Sequence, residues 1–86
     1  MTITKSGNVV IAFFNGTPNV HNSTLGLDQK YIPDNTNNRS ILMENDNGHP
    51  VVAYFDGAKR FVAYDRIAQK FIQASDRLYG QFIWML

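Results

Sequence analysis

Asp65-Arg66-Ile67-Ala68-Gln69-Lys70-Phe71-Ile72-Gln73-Ala74-Ser75-Asp76-Arg77-Leu78-Tyr79-Gly80 is the stretch on which the reading of the fold turns. Ile67, Ala68, Phe71, Ile72, Ser75, Leu78 and Tyr79 recur at helical spacing, and at about 100° per residue they fill one arc. Asp65 has the chemistry of an N-cap, because its carboxylate can accept the first unpaired N–H groups of a helix. Gly80 stands where a left-handed residue would close the last turn. The spacing therefore predicts an amphipathic helix over 65–79, and a start as early as Ala58 fits the same pattern. Its solvent face would carry Arg66, Lys70, Gln73 and Arg77.

Beyond Gly80 the period becomes two. In Phe82-Ile83-Trp84-Met85-Leu86, one face receives Phe82, Trp84 and Leu86, and the other Ile83 and Met85. Both faces are apolar, so a strand here needs cover on two sides, from its own sheet or from another subunit.

On the N-terminal side of 65–79 lies an antiparallel meander. Ser40 to Glu44 and Pro50 to Phe55 read as strands joined by Asn45-Asp46-Asn47-Gly48, and Ala58 to Tyr64 follows Asp56-Gly57. Asn-Gly and Asp-Gly supply positive φ at low cost in hairpin turns. With a two-residue loop at 56–57, Phe55 would face Ala58 and Val52 would face Phe61. Further upstream, Thr2 to Lys5 and Val9 to Phe14 flank Ser6-Gly7-Asn8 as a first hairpin. Val10 to Gly16 and Val51 to Gly57 also resemble each other position by position, which is compatible with an internal duplication.

Between them, 15–39 has no clean period. It holds Pro18, Pro33, Gly16 and Gly26 and scatters Val20, Leu25, Leu27, Tyr31 and Ile32. Twenty-five structureless residues are improbable in so small a domain. A short strand near Leu25 to Ile32, packed on the surface, or an arm that contacts a partner is expected. The fold class that follows is α+β: a small antiparallel sheet of five to six strands in a meander, with one C-terminal amphipathic helix followed by a final strand. Residues 1–86 read as a single domain.

Composition sets the bounds on function. The chain of 86 residues is 44% hydrophobic and contains eleven aromatics, enough for a real core. A domain of this size nevertheless buries only about 60–65% of its unfolded surface, so a homodimer is favoured over a monomer. There is no cysteine, which excludes disulfides, thiolate metal sites and thiol nucleophiles. The first residues lack the charged start and apolar run of a signal peptide. No apolar run approaches the roughly 20 residues that cross a bilayer. A cytoplasmic protein without a membrane partner is expected.

Residues that could do chemistry are few. His21 and His49 are the only histidines and have no metal-ligand spacing, so no metal is expected. Ser23, Ser40 and Ser75 lack a nucleophile-elbow context. Asp46 and Asp56 are explained by turns, Asp65 by a cap, and Asp76 by a surface pair with Arg77; only Glu44 has no local role. Glycines are too scattered for a phosphate loop. No cofactor and no enzymatic activity are expected. An enzyme of unfamiliar design would need His49 or His21 beside Glu44 in one pocket.

The positive lead is a charge asymmetry. Residues 1–56 carry three basic and five acidic groups, whereas 57–86 carry five and two. Arg66, Lys70 and Arg77 would share the helix face, with Lys59 and Arg60 close in sequence, as a dock for an anionic partner. Tyr31 and Tyr64 are further candidates, because tyrosines serve at interfaces and in base stacking. The function expected is that of a non-catalytic binding protein, a small oligomeric protein–protein interaction module or inhibitor that occludes a partner. The alternative is an anion-binding module, for nucleic acid or nucleotide, that uses the basic helix face.

Overall fold

A computed structural model describes residues 1–34 and 41–86. The hairpin at the N-terminus forms as the sequence implies. β1 (Thr2–Ser6) pairs antiparallel with β2 (Val9–Gly16), and Gly7 at φ +59 turns between them. A two-stranded ribbon follows, β3 (Val20–His21) and β4 (Thr24–Leu25), and then one turn of 3-10 helix, Gln29–Tyr31. The meander is β5 (Ile41–Asn45), β6 (Pro50–Phe55) and β7 (Phe61–Asp65). β8 (Lys70–Phe71) and β9 (Leu78–Met85) complete the chain. One antiparallel sheet runs in the order β1-β2-β9-β5-β6-β7-β8.

The expected α+β class is therefore wrong: among the described residues there is no α-helix, and the main sheet has seven strands rather than five or six. The cap at Asp65 is real but serves a turn. Its Oδ1 accepts from the backbone N–H groups of Ile67 and Ala68, both at 2.9 Å, as an N-cap would. Gln69 then adopts φ +56, which ends the coil after one turn. The chain doubles back, and β8 pairs Lys70 with Asp65 and Phe71 with Tyr64. Asp76 closes a second turn by accepting from the N–H of Gln73. Of the apolar positions that seemed to line a helix, only Ile72 and Leu78 are buried; Ile67 and Ser75 are exposed. An isolated fifteen-residue helix is marginal in water. Extending β9 back to Leu78 instead gives it eight paired positions along β2.

Two other expectations are corrected. The loop after β6 spans 56–60, so Phe55 faces Phe61 and Val52 faces Tyr64. Asp56 Oδ1 builds this longer loop by accepting from Ala58 and Arg60, with Lys59 left-handed at φ +61. Gly80 is not a helix cap. It sits within β9 at φ +128, opposite Phe14, where a Cβ would come within 3.1 Å of Met43 Cγ. The β9–β5 ladder holds Glu44 to Tyr79 and Asn45 to Leu78 and stops there. Glycine permits this bend. The expected strand start at Ser40, and the end of the 15–39 segment, lie outside the described residues.

The sheet is curled. Three strands separate β2 from β7, which in a flat sheet would set their backbones about 19 Å apart. Yet the rings of Phe14 and Phe61 have centroids 6.2 Å apart. Phe55, Phe61, Phe82 and Trp84 complete the cluster, with Phe55 stacked on Phe61 at 4.9 Å and edge-on to Trp84 at 5.2 Å. Ala12, Ala53 and Ala63, all buried, leave room for these rings. Small residues opposite large ones let the layers interdigitate. The inward sets Val10-Ala12-Phe14 and Val51-Ala53-Phe55 occupy equivalent roles in β2 and β6, which accounts for their likeness in sequence.

The described part of the 15–39 segment covers the mouth of this curl. Leu25 is fully buried, and Val20, Leu27, Tyr31 and Ile32 pack on the core. Trp84 Nε1 donates to the Tyr31 carbonyl at 2.7 Å, tying the 3-10 turn to β9. An indole N–H in an apolar core needs such an acceptor.

Candidate functional site

Two features stand out from this frame, a polar cluster at one end of the sheet and an uncovered apolar face. The cluster centres on Asp65, which is only 3% exposed. The alternation along β7 turns Phe61, Ala63 and Asp65 inward, so a carboxylate closes the end of the aromatic core. Its Oδ2 accepts from Asn45 Nδ2 at 2.8 Å and lies 3.0 Å from His49 Nδ1. Asn45 in turn uses Oδ1 to accept from the N–H groups of Asn47 and His49. One buried carboxylate thus pins the β5–β6 turn to the β7–β8 turn.

Burial pushes the Asp65 carboxyl up, but the Ala68 N–H, the His49 side chain and the Ile67 N–H together outweigh it. The net effect holds Asp65 below its usual value. To bond the ionised carboxylate, His49 carries its hydrogen on Nδ1. An imidazole oriented by a carboxylate is half of a nucleophile-activating arrangement. Among the described residues no hydroxyl is hydrogen-bonded to His49, and Glu44 does not join it. No group of three or more His, Asp or Glu able to hold a metal ion occurs among them. The His49–Asp65 pair went unforeseen because 16 residues separate partners that each have a local turn role; no spacing signal marks them.

The basic residues do not converge. Arg66 lies in the β7–β8 turn, Lys70 in β8 and Arg77 just before β9, all at the end that holds Asp65. Lys59 and Arg60 occupy the β6–β7 turn, at the opposite end of the sheet. The shared helix face is gone with the helix. Three of the five also have carboxylate neighbours: Arg60 Nε is 2.8 Å from Asp56, Arg77 Nε 3.8 Å from Asp46, and Lys59 Nζ 3.9 Å from Asp34. Asp46 also accepts from the Tyr79 hydroxyl at 2.8 Å. Lys59 and Arg60 rim a cleft of about 320 Å³ with Leu25, Ile32 and Phe61 in its walls.

The two tyrosines are separated too. Tyr31 is half-buried over the core, with the Lys30 ammonium 5.1 Å from its ring. Tyr64 lies on the other side of the sheet, edge-on to Phe71 at 5.1 Å.

That other side is the second feature. Alternation turns Ile11 and Phe13 of β2, Ile83 and Met85 of β9, and Leu42 of β5 away from the core. Phe13 is 49% exposed, Ile83 44%, Met85 60% and Leu42 63%. Pairing sets Ile11 against Ile83 and Val9 against Met85, so the outward groups of β2 and β9 form one patch. An antiparallel sheet with a solvated face ordinarily alternates apolar and polar residues. These strands do not. The sequence signal was the two-faced strand 82–86.

Compared with protein-family models, with curated proteins and with solved structures, the chain matches none. Fold and site define a small antiparallel-sheet domain with an uncovered apolar face. No helix among the described residues is long and apolar enough to cross a membrane.

Proposed function

We propose that this is a non-catalytic binding protein, a small protein–protein interaction module that works by covering a surface of its partner. The observation that carries this reading is the outer face, where Phe13, Leu42, Ile83 and Met85 stand exposed on adjacent strands. Contiguous exposed apolar patches on a folded domain mark interaction sites. Support also comes from His49, whose ordered imidazole meets a carboxylate and a turn but no nucleophile among the described residues. A cysteine-free chain fits work in the reducing cytoplasm. Anion binding is the weaker reading, since its cations are split between two ends of the sheet.

Capture from a lysate of the source cells separates the two. The immobilised chain is expected to retain a specific protein that Ile83→Glu releases and that combined Arg66→Ala, Lys70→Ala and Arg77→Ala retains. Capture lost in the triple variant and kept in Ile83→Glu, with nucleic acid in the eluate, would reverse the assignment.

A further inference from the structure

We infer that Asn47 is a self-modifying residue: the backbone nitrogen of Gly48 attacks its side-chain carbonyl, and the deamidated chain that results loosens the clamp around Asp65. Asparagine is among the thermally labile residues, and a following glycine leaves the attacking nitrogen unshielded by a Cβ. The Gly48 nitrogen gives its proton to solvent base and bonds to Asn47 Cγ. The bond from Cγ to Nδ2 breaks, and Nδ2 takes up a proton and leaves as ammonia, so that a cyclic imide remains. Water opens either imide carbonyl and yields aspartate at 47 or an isoaspartyl link with one more backbone carbon. Water is the only co-reactant, and nothing is oxidised or reduced.

The chain holds two Asn-Gly pairs, Asn15-Gly16 and Asn47-Gly48, and the fold treats them differently. Asn15 and Gly16 end β2, paired with Tyr79 and Leu78 of β9. To cyclise there, the backbone must leave the ladder, two residues before the buried Pro18. Asn47 and Gly48 are both exposed at the tip of the β5–β6 hairpin, beyond the last pair of its ladder, Glu44 with Pro50. The Gly48 N–H donates to the Asn45 carbonyl at 3.0 Å, and the Asn47 N–H to Asn45 Oδ1 at 3.0 Å. A hydrogen bond of this kind contributes only about 1 kcal/mol, and loops open locally at far lower cost than core strands. The turn itself demands the reactive pair, because residue 48 is left-handed at φ +71.

Neighbouring groups of similar chemistry are held. Asn45 is buried, gives its Nδ2 to Asp65 at 2.8 Å and is followed by Asp46. Asp56 precedes Gly57, but its carboxylate accepts from the Ala58 and Arg60 N–H groups and from Arg60 Nε, and an ionised carboxylate is a poor electrophile.

The hairpin tip is coupled to the polar cluster. Asn45 Oδ1 accepts from the N–H groups of both Asn47 and His49, while Asn45 Nδ2 and His49 Nδ1 hold Asp65 Oδ2. An added backbone carbon after residue 47 shifts His49 against Asn45. The new carboxylate also joins Asp46 in the same turn, and the two repel.

The folded chain, held at mildly alkaline pH and then digested with trypsin, gives the two pairs in separate fragments, 6–30 and 40–59. Tandem mass spectrometry is expected to find amide replaced by carboxyl at Asn47 at least about ten times faster than at Asn15, with isoaspartate among the products. In concentrated urea, where the ladder is gone, the two rates should converge. Asn47→Gln, which keeps an amide but disfavours the small ring, should abolish the fast reaction. The aged chain should unfold at a lower urea concentration than the fresh one. Equal rates at Asn15 and Asn47 in the folded chain, or an Asn47 that reacts only once unfolded, overturns the inference. So does an aged chain that keeps the unfolding midpoint of the fresh one.

Discussion

Two faces of the same two strands meet opposite fates. On β2 and β9 the inward residues Val10, Ala12, Phe14, Phe82 and Trp84 are buried, while Phe13, Ile83 and Met85 between them face solvent. Side chains on the two faces are equally apolar, so hydrophobicity does not decide which face becomes the core. Curvature does. The bend at Gly80 and the crossover over 17–34 wrap the sheet around one face only. An apolar side chain stabilises the monomer only where other atoms close over it. On the convex face the same side chains stay in solvent.

The contrast is most directly broken at neighbouring positions. Phe82→Ala should destabilise the chain by about 3–5 kcal/mol in urea unfolding, because it leaves a cavity beside the rings of Phe55, Phe61 and Trp84. Next in size is Asp65→Ala, expected to cost about 3 kcal/mol. It strands the side chains of Asn45 and His49 and two backbone N–H groups, and untethers two turns at once. Gly80→Ala should cost about 1–3 kcal/mol. Its φ of +128 and the approach of Met43 both oppose a Cβ. Smallest is Ile83→Ala, expected to change monomer stability at high dilution by less than about 1 kcal/mol. An effect there as large as that of Phe82→Ala would mean that the outer face is part of the folding core.

Acid sharpens the same comparison. The folded-state pKa of Asp65 is held below its unfolded value. Its contribution is therefore complete above the unfolded pKa, near 3.9, and is lost as pH falls through the lower folded value. Asp56 has the same direction: burial raises it, and the Arg60 backbone and side chain with the Ala58 N–H bring it down. Unfolding followed from pH 6 downward should show stability falling below about pH 4. Asp65→Asn should flatten that slope without abolishing it, since Asp56 remains. An unchanged slope in Asp65→Asn would place the acid sensitivity elsewhere.

Strands and turns were largely legible. A β-branched and aromatic apolar run marked Val9 to Phe14, and Asn-Gly and Asp-Gly marked the reversals that bracket Pro50 to Phe55, because both signals rest on residues close in the chain. The loop at 56–60 was misjudged by three residues, since its length depends on the Asp56 side chain reaching Arg60. The helix over 65–79 failed for a related reason. Asp65 capping is the same chemistry in a helix and in a turn, and only the pairing of β9 with β2 decides between them. At the candidate site, the uncovered face was visible in the two-faced strand 82–86. The His49–Asp65 pair and the dispersal of the basic residues were not.

The amino-acid order alone determined the two apolar faces of β9, the turn chemistry and the absence of any thiol, because each is a property of composition or of neighbours in the chain. Tertiary structure decided which face became the core, that residues 65–79 turn rather than coil, and that Asn45, His49 and Asp65 meet. Those outcomes depend on strand pairings across 60 or more residues, as between Val10 and Trp84, or on side chains brought together from separate turns. Local preference has no term for such contacts, and here they outweigh it.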